Sequence, residues 1–229
     1  MDLLLDRHLK RFLLAILLFS SACQEDESHS HIDSGDLHTD AYLHGQLPDM
    51  TLTAAQVIAL DDRQPSCITP RTFAEMCSPA VANQTPNQGQ QHISDQEINY
   101  EIDPPSSGPH RPQWAKWGEY EYLPPQRWLH NLEHGGIAFL YHPCAPTDLI
   151  DQLRDFAKNY QTTDGSTFRW VLSPYIDLPT SFAIVAWEWT LSGECFDEMQ
   201  SQQFIERVYR KAPEDVAADG AFMNRWIGK

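Results

Sequence analysis

The chain has 229 residues and carries 32 acidic against 16 basic side chains, a formal net charge of -16. Such a surface repels phosphate backbones and anionic headgroups, which excludes nucleic acid as an expected partner and disfavours docking of the chain body on anionic lipid. It is compatible with attracting cations, although plain solvation accounts for most charge of this kind.

The first residues set the expected compartment. Arg7, Lys10 and Arg11 precede an apolar run, FLLAILLF over 12–19, and then the small residues Ser20, Ser21 and Ala22. Charged, apolar and small segments in that order read as a signal peptide over 1–22. The apolar run is too short to span a bilayer, which takes about 20 residues. Cys23 follows at once, so the arrangement resembles a bacterial lipoprotein signal in which that cysteine becomes the lipidated N-terminus, with Ser20 where Leu is usual. The other reading is a secretory signal cut near Ala22. Gln24, rather than Asp, favours outer-membrane sorting. The expected place is therefore the cell envelope, lipid-anchored on the periplasmic or outer-membrane side, with the membrane contacted through the N-terminal lipid. Residues 23–50 are acidic and poor in aliphatics, as tethers are. Their His29, His31, His38 and His44 belong to a solvated spacer or to a weak metal-collecting arm.

About 205 residues remain after the signal, enough for one domain with a core. Residues 51–229 are expected to form it, with the most ordered part over 95–215. TLTAAQVIAL at 51–60 fits a short helix or a strand, and periodicity does not decide between them. NQTPNQGQQ reads as a surface loop, and EIDPPSSGPHRP as irregular chain. IAFLY at 137–141 reads as a buried strand. Thr147 is placed to cap a helix from Asp148 to about Tyr160, whose Leu149, Ile150, Leu153, Phe156, Ala157 and Tyr160 lie on one face. FRWVLSPY and FAIVAWEW read as two strands joined by a turn at Pro179, with Trp187 and Trp189 on one face of the second. A last helix is expected from about Asp197 to Lys211, with Phe204, Ile205, Val208, Tyr209 and Ala212 along its buried side and Pro213 as its stop. The class is α+β: a small disulfide-stabilised sheet with helices packed on one face, after a long irregular N-terminal segment.

Four cysteines follow Cys23: Cys67, Cys77, Cys144 and Cys195. In an oxidising compartment they read as two disulfides, of which three pairings exist. Keeping each bond within one region gives Cys67 with Cys77 and Cys144 with Cys195. The second bond assumes that strands 137–141 and 182–189 are neighbours, each ending near its cysteine. A thiolate metal site is disfavoured because no C-x-x-C is present.

The densest chemistry lies between Pro104 and Cys144: PPSSGPH (104–110), WAKWGEY (114–120), HNLEHGG (130–136) and YHPC (141–144). These separated motifs, in this order, resemble the bacterial domain-of-unknown-function family 3105, with Ser106 where that family has Thr. The resemblance covers roughly residues 95–215 and implies a fold unit and a compartment rather than an activity.

Read as chemistry, His130 and His134 are four apart with Glu133 between them. On one helical turn such a pair shares a face and can grip one metal. Gly135 and Gly136 and the strand after them argue against a long helix here and favour a turn or a single helical turn. With His110 and His142 on flanking segments, the candidate metal ligands are His110, His130, Glu133, His134 and His142, for copper or zinc. A thioether such as Met223 would favour Cu(I). The competing reading is structural: the same buried histidines and Glu133 hydrogen-bond the irregular PPSSGPH backbone, whose peptide groups need partners. Three functions follow from these residues. One is a metal-binding module. The second is a metal-dependent hydrolase with Glu133 as general base. The third is a non-enzymatic envelope domain that meets a protein partner through Trp114 or Trp117. A Ser107–His110–Glu133 triad has no support from spacing.

Overall fold

A computed structural model describes residues 52–63, 65–68 and 77–229. The expected signal, the Cys23 expected to carry lipid and the expected tether lie outside the described residues. The elements in chain order are α1 (Ala54–Asp61), β1 (Val81–Gln84), β2 (Gly118–Tyr120), α2 (Pro125–Glu133), β3 (Ile137–Tyr141), α3 (Thr147–Asn159), β4 (Trp170–Pro174), β5 (Phe182–Ala186), β6 (Trp189–Gly193), α4 (Glu198–Val208) and β7 (Trp226–Gly228). The seven strands form one mixed sheet in the order β1-β6-β5-β3-β4-β2-β7. β3, β4 and β2 run parallel to one another, and the outer pairings are antiparallel. The class is α+β.

Alternation along the central strands gives the sheet two buried faces. Ile137, Phe139, Leu172, Phe182 and Ile184 pack against Leu149, Leu153 and Phe156 of α3 and Phe204, Ile205 and Val208 of α4. The two helices legible in the sequence thus share a face. On the other face, Ala138, Leu140, Val171, Ala183 and Val185 meet Trp128, Leu129 and Leu132 of α2, together with Trp117, Tyr120 and Leu123. α2 begins with Pro125 at its first turn, where a missing N–H costs nothing, and it ends at His134. The stretch left undecided at 51–60 is the helix α1, capped reciprocally by Thr53 and Gln56. Thr147 lies inside α3 rather than capping it, since Pro146 occupies the cap position.

Two expectations are corrected. FAIVAWEW is not one strand. The chain turns at Trp187 and Glu188, where Glu188 takes a left-handed φ of 60°, and β6 pairs back on β5 with Ala186 opposite Trp189. The turn throws the two indoles to opposite sides: Trp187 belongs to the α2 face and Trp189 packs against the α3–α4 face.

The disulfides are Cys67–Cys144 and Cys77–Cys195, with Cα separations of 4.8 and 5.3 Å. β3 and β5 are neighbours, as assumed, but Cys195 follows β6. Tyr141 pairs with Phe182 and Phe182 pairs with Gly193, so Cys144 and Cys195 emerge at the same end of the sheet with β5 between them. Two strand spacings are about 9.5 Å, beyond disulfide reach. Cys67 and Cys77 each meet one of these positions instead. Among the described residues, no helix is long and apolar enough to cross a membrane.

Candidate metal centre

The chain brings four side chains to one point from three segments. His92 and His110 lie side by side on extended chain in a parallel bridge, secured by Ile93 N–H to the His110 carbonyl at 2.8 Å and His110 N–H to the Gln91 carbonyl at 2.9 Å. Directly paired residues project to the same side. His130 and Glu133, three apart on α2, share a helix face and supply the other two. Glu133 Oε2 is 2.9 Å from His110 Nε2, 3.4 Å from His92 Nε2 and 4.0 Å from His130 Nε2. One ligand atom from each of the four residues lies within 4.8 Å of all the others. Four-coordinate Zn–N and Zn–O bonds place neighbouring ligand atoms about 3.3 Å apart, so small rotations close this group on an ion.

Hydrogen bonding fixes two of the rings. His110 Nδ1 is 2.8 Å from the Gly108 carbonyl, and His130 Nδ1 is 2.8 Å from the Arg111 carbonyl. A carbonyl only accepts, so each Nδ1 carries a proton and each ring turns its Nε2 toward Glu133. Metal-bound histidines are held in this way, with the outer N–H anchored on a carbonyl. At 2.9 Å the His110 Nε2–Glu133 Oε2 contact needs a proton between the two atoms, and a metal ion held by both would take that proton's place.

Burial sets the electrostatics. It pulls the His130 imidazole down to about 4, against the bond to the Arg111 carbonyl, and the neighbouring His110, His134 and His92 add to the depression. Burial works to raise the Glu133 carboxyl, but the hydrogen bond and charge of His110, with His130 and His92, outweigh it and hold the group below its ordinary value. The sign of the linkage for His130 is therefore destabilising in acid. Below the ordinary 6.5 the unfolded chain takes up the proton first, while the folded ring resists it down to about 4. The metal-free protein is expected to lose a few kcal/mol from this group between those two values. Chelator-treated melts across that range check it, and a His130→Gln variant should show a shallower fall. A wild-type profile no steeper than that of the variant would contradict the burial argument.

The structure brings together three of the residues expected from the sequence, His110, His130 and Glu133, and adds His92. His134, the cap residue of α2, lies one layer out. Its Nε2 is 3.1 Å from His130 Nε2 and 3.1 Å from Glu214 Oε2. The Glu214 carboxylate is the acceptor for the His134 Nε2–H, and the buried Nδ1 of that ring is without a partner. Burial lowers this imidazole, with Glu214 and Glu133 opposing. His142 follows the far end of β3, roughly 17 Å along the strand from Ile137, and accepts from Cys144 N–H through Nδ1 at 3.1 Å. Met223 is exposed, in the C-terminal segment.

His92 was not legible: it sits in polar QQHISD with no periodicity, and only its pairing with His110 places it. Its side chain is 46% exposed whereas that of His110 is fully buried, so His92 is the solvent-facing member.

The surroundings bear on the competing readings. The structural one holds in part, since His110 Nδ1 bonds the Gly108 carbonyl of PPSSGPH, while the Ser106 carbonyl accepts from Glu188 N–H and Gly108 N–H donates to the Gly89 carbonyl. Ser107 Oγ is engaged with Pro86 O and Gln88 N–H, and both His110 nitrogens are committed to other groups, so no triad forms. Trp117 is buried under Gly136, with its Nε1–H on the Ala218 carbonyl. A Cβ on Gly136 would lie 2.5 Å from that indole, so the second glycine of HNLEHGG is required by contact, and Gly135 by its φ of 78°. Trp114 covers His130 and His134, with ring centroids at 5.1 and 4.6 Å.

Residues 92–220 match DUF3105, a family described as proteins of unknown function. No curated protein and no solved structure matches the chain.

Proposed function

The chain belongs to the DUF3105 family of proteins of unknown function, and because the family segment begins at His92 and encloses the whole histidine–glutamate group, we propose that it is an extracytoplasmic metal-binding module holding zinc or copper through His92, His110, His130 and Glu133. The observation that carries this reading is the pair of Nδ1–H anchors on the Gly108 and Arg111 carbonyls, which turn Nε2 of each ring toward a buried carboxylate. Three imidazoles and one carboxylate suit Zn and Cu(II). Four ligands also complete a tetrahedral site, which favours binding over hydrolysis: a metal hydrolase keeps a position for water, and Glu133 as general base would have to leave its bond to His110. The two disulfides support an oxidising compartment, in line with a signal peptide and a lipid on Cys23.

The test is metal content of tag-free protein lacking residues 1–50, so that the tether histidines contribute nothing. About one equivalent of Zn or Cu per chain is expected, retained through gel filtration, and lost in the His110→Ala/His130→Ala variant. Equal metal in both proteins would refute the reading.

A further inference from the structure

A second site lies apart from the histidines, in a cavity of about 150 Å³ between α1, the 97–103 segment and the 175–177 turn. Three phenol rings, Tyr100, Tyr122 and Tyr175, line it, and the last two are buried. Four carboxylates face it: Asp61, Glu97, Asp103 and Asp177. Arg111 offsets Asp61, with contacts of 2.7 and 2.8 Å, and Arg63 offsets Asp177 at 3.0 Å. Asp103 accepts from the Tyr175 hydroxyl, which leaves its charge unneutralised. Gln126 also lines the cavity. Its Nε2–H donates to the Ile98 carbonyl, and its buried Oε1 has no donor.

We propose that this cavity binds a small organic ammonium cation. Aromatic faces attract cations through their quadrupoles, and the excess of carboxylates adds a negative field. Gln126 Oε1 is itself shielded from the cavity space, so recognition rests on the rings and the carboxylates, which favour a cation over a neutral ligand of the same size. A bare metal ion fits poorly: among the described residues the one group of ligand atoms close enough to hold a metal is the histidine cluster, and these carboxylates do not converge in that way. A bulkier cation spans the separation. A cavity of this volume takes a ligand of about six heavy atoms.

The test is a titration followed through backbone amide NMR shifts at fixed ionic strength, with chelator present so that the histidine site plays no part. The probe is n-propylammonium chloride, and 1-propanol is its neutral counterpart. Saturable shifts are expected at residues 97–103, 122–126 and 175–177 with the ammonium and not with the alcohol. Glu97→Gln/Asp103→Asn, which alters exposed side chains, should weaken binding about tenfold or more. Absence of saturable shifts, an equal response to propanol, or undiminished affinity in the double variant would each overturn the proposal. The comparison of ammonium with alcohol on the wild-type protein decides the matter even if the variant misfolds.

Discussion

Removal of the Cys67–Cys144 bond by paired serine substitution is expected to destabilise the protein by about 4–5 kcal/mol, roughly 10–20 °C in melting temperature. The bond closes a separation of 77 residues, and Cys77–Cys195 closes one of 118. Long loops gain most from closure, because the cross-link removes most freedom from the unfolded chain. The two loops interleave. Once one bond is in place the second closes a shorter effective path, so removing both should cost less than twice the single loss. Calorimetry of the single-bond and double-bond variants checks both statements. Non-reducing peptide mapping should show Cys67 joined to Cys144, and recovery of a Cys144–Cys195 peptide would contradict the sheet order given above.

Arg111→Met is expected to cost about 3–5 kcal/mol, with the largest part arising from Asp61 left charged and unpaired in the interior. Arg111 and Asp61 are 1% and 5% exposed, joined by two hydrogen bonds at 2.8 and 2.7 Å. The same guanidinium donates to the Ile93 and Gln96 carbonyls, which fixes the extended chain that carries His92. The Arg111 carbonyl is the acceptor that orients His130. The substitution should therefore weaken metal binding as well as the fold. Asp61→Leu/Arg111→Met, which removes both charges, should recover much of the stability without restoring the hold on residues 93–96. Urea denaturation of the three proteins measures this, and a double variant no more stable than the single one would contradict the unpaired-charge argument.

Local pattern carried a good deal of this architecture. α3 and α4 follow from apolar residues at helical period, and β3 from an apolar run after two glycines. HNLEHGG is legible as a one-turn ligand pair because spacing alone puts His130, Glu133 and His134 on one side of a helix. What spacing could not say is which of them meets the others. The turn at Glu188 hides in FAIVAWEW because no Gly or Asn marks its left-handed residue, and that turn reverses the facing of Trp189 and moves Cys195 one strand outward. The capping box of Thr53 and Gln56 was readable and would have settled α1. His92 depends on a parallel bridge between chain segments 18 positions apart, and nothing local announces such a pairing.

The most direct measurement is X-ray absorption at the metal edge of zinc-loaded protein lacking the tether. The predicted first shell is three imidazoles and one carboxylate oxygen at about 2.0–2.1 Å, without sulfur. His92→Ala should remove one imidazole and His134→Ala should leave the count at three. A shell made mostly of water oxygens, a sulfur scatterer, or an imidazole count lowered by His134→Ala and not by His92→Ala would contradict the assignment.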